Sequence, residues 1–126
     1  MTSNDINQLT GSIIGAAIEV HRILGPGLLE SVYEECLCRE LGLRGIDFER
    51  QKELPLTDKG IKLGNGYRLD VVVDGKVIME LKACEKIEPI GEAQILTYLK
   101  LTGLKTGLLI NFNVPVLKEG IKRFVF

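Results

Sequence analysis

The stretch RLDVVVDGKVIMELKA, residues 68–83, constrains this chain more than any other. Two β-prone runs, 67–73 and 76–83, flank Asp74 and Gly75, the signal of a β-hairpin. A tight two-residue type I′ turn would pair Val73 with Lys76 and put Asp70 and Glu80 on opposite faces. A type I turn with a glycine bulge at Gly75 would pair Val72 with Lys76 and put them on one face. The apolar pattern chooses, because a one-residue slip turns every side chain of a strand over. In the bulged register Leu69, Val71, Val73, Val77, Met79 and Leu81 share one side. Arg68, Asp70, Val72, Ile78, Glu80 and Lys82 share the other. The tight register would bury Glu80 and Lys82 among aliphatic side chains, which is costly unless they are paired. The bulged hairpin is therefore expected, with Asp70 opposite Ile78, diagonal to Glu80, and Lys82 one step beyond.

Two carboxylates that converge repel, and they stay ionised together only around a positive charge. A hard divalent cation, Mg²⁺ or Mn²⁺, suits carboxylate oxygens and water. Lys82 beside it is placed to orient or help activate an attacking water and to offset charge on a pentavalent phosphorane. The competing reading is an ordinary surface ion pair of Glu80 with Lys82 or Arg68.

Around the hairpin the apolar period is helical and then extended. Residues 4–24 carry Ile6, Leu9, Ile13, Ala17, Val20 and Leu24 at three- and four-residue steps, an amphipathic helix closed by Gly25, Pro26 and Gly27. Residues 28–41 repeat the pattern, with Gly42 as the expected stop. Residues 48–56 read as a strand in which Pro55 suits a sheet edge or a strand end, and 59–66 as turn. Pro89 opens a helix over 89–101 that Gly103 closes, and 104–112 is a buried strand parallel to its predecessor. The expected class is α/β, a mixed β-sheet core flanked by helices. With 126 residues, 45% of them apolar, one domain spanning 1–126 is expected.

No apolar run approaches the ~18 residues needed to span a bilayer, so no membrane association and a cytoplasmic location are expected. Cys36, Cys38 and Cys84 are expected to be reduced thiols, and one histidine is too few for a zinc site with them. Residues 1–58 carry five basic and ten acidic side chains, net −5, whereas 59–126 carry eleven and seven, net +4. The second half suits a polyanion, although a solvated surface explains the asymmetry as well.

The D-x9-E-x-K pattern of Asp70, Glu80 and Lys82, followed by a helix and an apolar strand, resembles the PD-(D/E)xK nuclease superfamily. Gly27, Glu30 and Tyr33 spell GxxExxY. With VHRILGPG, AQILTYLKLTG and GLLINF in order, the chain is similar to the GxxExxY proteins of that superfamily from about residue 13 to 126. The resemblance implies a restriction-endonuclease-like fold and a divalent-metal-dependent nuclease that hydrolyses nucleic acid, with DNA the expected substrate, by metal-activated water. It implies Asp70, Glu80 and the Leu81 carbonyl as ligands of Mg²⁺ or Mn²⁺, and Lys82 as the catalytic lysine. Glu30 matches an acid that holds the metal or its water, while an exposed glutamate at a helix start is the alternative. Gln94 and Tyr98, four apart on one helix face, match a Q-x3-Y pair that contacts the phosphate backbone or positions Lys82. A half-buried tyrosine is the other reading of Tyr98. Leu69 stands where the superfamily name has proline. A homodimer would widen the binding surface, with Phe124, Val125 and Phe126 available to it. A nuclease-fold module that binds nucleic acid or a protein without cutting is the alternative function. His21 is read as a packed or capping side chain rather than a general base.

Overall fold

The computed structural model describes residues 2–126. Helix α1 (Ser3–Leu24) starts at Thr2, whose hydroxyl accepts from the Asp5 amide while the Asp5 carboxylate accepts from the Thr2 amide. This reciprocal pair satisfies two otherwise orphaned donors. Gly25 ends the helix at φ 70°. Helix α2 (Glu30–Leu43) passes through Gly42, the expected stop, and ends instead before Gly45, which takes φ 72°. Gly42 has an ordinary helical backbone, and only a glycine in the left-handed region stops a helix well.

Five strands follow in sheet order: β1 (Phe48–Asp58), β2 (Ile61–Val73), β3 (Val77–Lys82), β4 (Thr106–Asn111) and β5 (Ile121–Val125). Helix α3 (Pro89–Thr102) crosses from β3 to β4, and these two strands are the parallel pair of an otherwise antiparallel sheet. The mixed α/β sheet flanked by helices is as the sequence predicts. Strand β1 is an edge, and its register shifts between Leu54 and Leu56, so Pro55 sits at an irregularity where no ladder donor is needed. The expected turn over 59–66 is wrong. Lys59 and Gly60, both at positive φ, make the whole turn, and β2 begins at Ile61. Gly66 is a close approach rather than a turn signal: a Cβ there would lie 2.2 Å from the Leu54 carbonyl oxygen.

Two cores result. Val71, Val73, Val77, Met79, Leu81, Leu108, Ile110 and Phe112 pack against α1 and α2, and Val72, Ile78 and Leu109 pack against Ile95, Tyr98 and Leu99 of α3. Every residue of β4 is buried, as a parallel strand covered on both faces must be.

The α1–α2 connection is held by Tyr33. Its ring stacks on Phe112 with centroids 4.5 Å apart, its hydroxyl donates to the Gly25 carbonyl, and that hydroxyl accepts from the Leu28 amide. Gly27, at φ 95°, turns the chain into α2. Tyr33→Phe removes both of these part-buried hydrogen bonds, so an unfolding free energy lower by about 1–3 kcal/mol is expected in urea melts.

His21 is buried, with Nε2 2.8 Å from the Val114 carbonyl oxygen, and takes no part in the hairpin.

Candidate functional site

The β2–β3 hairpin keeps the parity expected from the apolar pattern but not its turn. The pairs are Val73 with Val77, Val72 with Ile78 and Val71 with Met79. Asp74 and Gly75 both take positive φ, as in a primed turn, and Lys76 is a third loop residue. The expected pairing of Val72 with Lys76 is thus two residues out. Extended by one step, the observed register puts Asp70 directly opposite Glu80 instead of opposite Ile78.

That step is not made as a backbone ladder. The strands part beyond Val71 and Met79, and the two acids fill the fork. The Leu81 amide donates to Asp70 Oδ2 at 2.9 Å, and the Asp70 amide points at Glu80 Oε1 at a long 3.4 Å. On its other side Asp70 is again unpaired. Arg50 pairs with Val71 and Lys52 with Leu69, yet Gln51, between them, has φ 47° and does not pair. The two pairs share one register, so no residue is inserted; the ladder is broken by backbone rotation alone. In consequence Leu69, expected on the face of Val71 and Val73, packs in the α3-side core with Val72 and Ile78.

Glu80 is 6% exposed and forms no ion pair with any described residue. Burial first, and then the Asp70 charge, push its carboxyl up to about 9, with Lys82 pulling the other way. Without a cation Glu80 therefore keeps its proton at neutral pH. Tyr98 is buried at the same place. Burial, and then the Glu80 and Asp70 charges, push its hydroxyl up to about 12. The chain after Lys82 is tied to β4: the Phe112 amide donates to the Lys82 carbonyl, and Asn111 Nδ2 to the Cys84 carbonyl.

A cleft of about 240 Å³ opens at the fork, lined by Glu30, Ser31, Glu34, Gln51, Asp70 and Leu81. Glu30 is exposed at the start of α2 and shares this cleft with Asp70. Gln94 and Tyr98 line a separate depression with Tyr67, whose ring centroid lies 5.7 Å from that of Tyr98. The fold thus gathers Asp70, Glu80, Leu81 and Glu30 at the fork and sets Gln94 beside it through Tyr98.

Ser31, Glu34 and Gln51 of the cleft escaped the sequence reading. Glu34, buried on α2, accepts from Gln51 Nε2 at 2.6 Å and from Arg50 Nη2 at 3.0 Å. A left-handed backbone at a non-glycine residue costs about 1–3 kcal/mol, while a hydrogen bond to a charged group contributes about 1.5–3 kcal/mol. The Glu34 contact is therefore large enough to hold Gln51 where it is. The one signal in the sequence is spacing: Glu34 lies a helical turn after Glu30.

No helix among the described residues is long and apolar enough to cross a membrane. The chain matches the family model of the PD-(D/E)XK nuclease superfamily over residues 7–124. Comparison with curated proteins and with solved structures returns no match.

Proposed function

The chain belongs to the PD-(D/E)XK nuclease superfamily, and on that premise we propose that it is a divalent-metal-dependent nuclease that hydrolyses phosphodiester bonds of DNA at the β2–β3 fork. The observation that carries this reading is the meeting of Asp70 with a buried Glu80 that lacks a cationic partner among the described residues. In such a pair a proton on Glu80 stands where a cation would let both acids ionise.

The donor set fits a hard ion. Both side chains offer oxygen, and since no third His, Cys, Asp or Glu completes a cluster with them among the described residues, the remaining positions would fall to the Leu81 carbonyl, water and phosphate. A cation held by two carboxylates, the Leu81 carbonyl, water and substrate phosphate is the habit of Mg²⁺ and Mn²⁺ rather than of Zn²⁺. Once bound, it supplies a lowered water pKa and withdraws charge from the phosphate. Lys82 orients the attacking water and places positive charge against the phosphate oxygens. Glu30, across the cleft from Asp70, accepts a hydrogen bond from that water. Tyr98, its hydroxyl held neutral far above working pH, and Gln94 donate to the DNA backbone. Within the superfamily we assign the chain to the GxxExxY branch, supported by the parts Gly27 and Tyr33 play in seating Glu30.

The test is cleavage of single-stranded, duplex and branched DNA with Mg²⁺ or Mn²⁺. Wild type is expected to cut at least one of them, and Asp70→Ala to lose both cutting and Mn²⁺ binding by isothermal titration. DNA binding that survives Asp70→Ala, with no cutting by wild type under either metal, would make this a binding module instead.

A further inference from the structure

The cleft at the fork contains a contact that the proposed chemistry does not use, between Glu34 of α2 and Gln51 of β1. We infer that Glu34 and Gln51 are positioning residues for Asp70: they hold β1 off the ladder at that one pair, leaving the Asp70 carboxylate to be set by the Leu81 amide.

Four observations converge on this. The β1–β2 register is the same on both sides of the gap, so the sequence supplies no extra residue that forces a break. Gln51 is nevertheless at φ 47°, in the region that side chains rarely adopt. Its amide group donates to Glu34 Oε1 at 2.6 Å, and Arg50, the residue before it, donates to Oε2 at 3.0 Å and, more weakly, at 3.3 Å. One buried carboxylate therefore grips two successive residues of the edge strand from outside the sheet, and the charge that makes its burial tolerable comes from Arg50. Finally, the residue freed by the break is Asp70, which lines the same cleft as Glu34 and Gln51. Were Gln51 to take an ordinary extended backbone, it would pair with Asp70 as its neighbours pair with Val71 and Leu69. The rotation that carries Leu69 to the α3 side while Val71 faces α1 and α2 would then be lost.

For what Asp70 does, this inference rests on the metallonuclease reading; for where Asp70 sits, it does not. Gln51→Gly separates a positioning role from a structural one. Glycine adopts either sign of φ without strain, so the variant keeps the fold while losing the grip of Glu34. Amide hydrogen exchange in the metal-free protein reads the Asp70–Leu81 contact directly. Leu81 is expected to exchange at least tenfold faster in Gln51→Gly, with Val71 and Met79 unchanged. Glu34→Gln, which still offers Gln51 a carbonyl oxygen, is expected to lie between this variant and wild type. In the same protein the Kd for Mn²⁺ is expected to rise about tenfold, the usual scale for a residue that orients a metal ligand. Leu81 protection that stays at the wild-type value in Gln51→Gly overturns the inference. Altered Leu81 protection in a protein whose wild type binds no Mn²⁺ leaves the inference standing and removes the metallonuclease reading instead.

Discussion

Lys82→Ala is expected to cleave DNA about 10³-fold more slowly than wild type at saturating Mn²⁺ while binding the ion within about threefold of the wild-type Kd. Lys82 follows Glu80 by two residues on β3, so both leave the strand on one side, and the parallel pairing of Glu80 with Leu109 and Lys82 with Asn111 keeps that side fixed. Its ammonium has no ion-pair partner among the described residues and is close enough to Glu80 to oppose the upward shift of that carboxyl. Removing it has two opposite effects on metal binding. The incoming cation meets less repulsion, but Glu80 is harder to ionise, and the near-cancellation is why affinity should hardly move. Nothing compensates in the reaction itself, where positive charge against the phosphate matters most as negative charge builds up. Lys82→Arg, whose planar fork cannot replace a compact ammonium, is expected to recover only a small part. A variant without Lys82 that cuts within threefold of wild type removes this residue from the reaction.

What the sequence discloses and what it hides at this site differ in physical kind. The parity of the hairpin was legible because it alone gathers Val71 and Val73 with Val77, Met79 and Leu81 on one face. Sparing Glu80 from burial was not the deciding gain, since Glu80 is buried in this register too. The exact pairing was not legible, since Asp-Gly suits a primed turn as well as a bulge, and a loop of three residues rather than another placement of the same parity depends on Lys76, which carries no turn signal. The rotation at Asp70 was hidden for a further reason. It is caused by Gln51, nineteen positions earlier, and held there by Glu34, so it exists only once α2 lies over β1. Elements whose signals are local came through: the three- and four-residue apolar period of α1, Pro89 at the head of α3, and the continuous apolar run of β4. Gly42 and Gly66 misled because glycine marks three different needs, a left-handed stop, a close approach and mere smallness, and composition does not say which.

The burial of Glu80 makes a second large effect, on stability and its dependence on pH. In the metal-free protein the carboxyl titrates near 9, against about 4.5 for the unfolded chain. The native state therefore holds one proton more than the unfolded state throughout that window. The sign follows: this contribution is fully present below pH 4.5 and is lost as pH rises toward 9, at up to about 1.4 kcal/mol per unit. With total stabilities of about 5–15 kcal/mol for a domain, a loss of a few kcal/mol between pH 5 and 8 is a fall of order 10 °C in melting temperature. Glu80→Gln, neutral at every pH, is expected to flatten the profile and to melt above wild type at pH 8. Mn²⁺ should act in the opposite sense, because binding requires the carboxylate and releases the proton. Its Kd is expected to fall close to tenfold per pH unit between 6 and 8, with about one proton released, read by titration calorimetry in buffers of different ionisation enthalpy. The stabilisation by a fixed excess of Mn²⁺ then grows with pH as the metal-free protein weakens. A Kd that is flat over this range would overturn the pairing of a protonated Glu80 with metal binding: either Glu80 starts out ionised or it does not bind the ion.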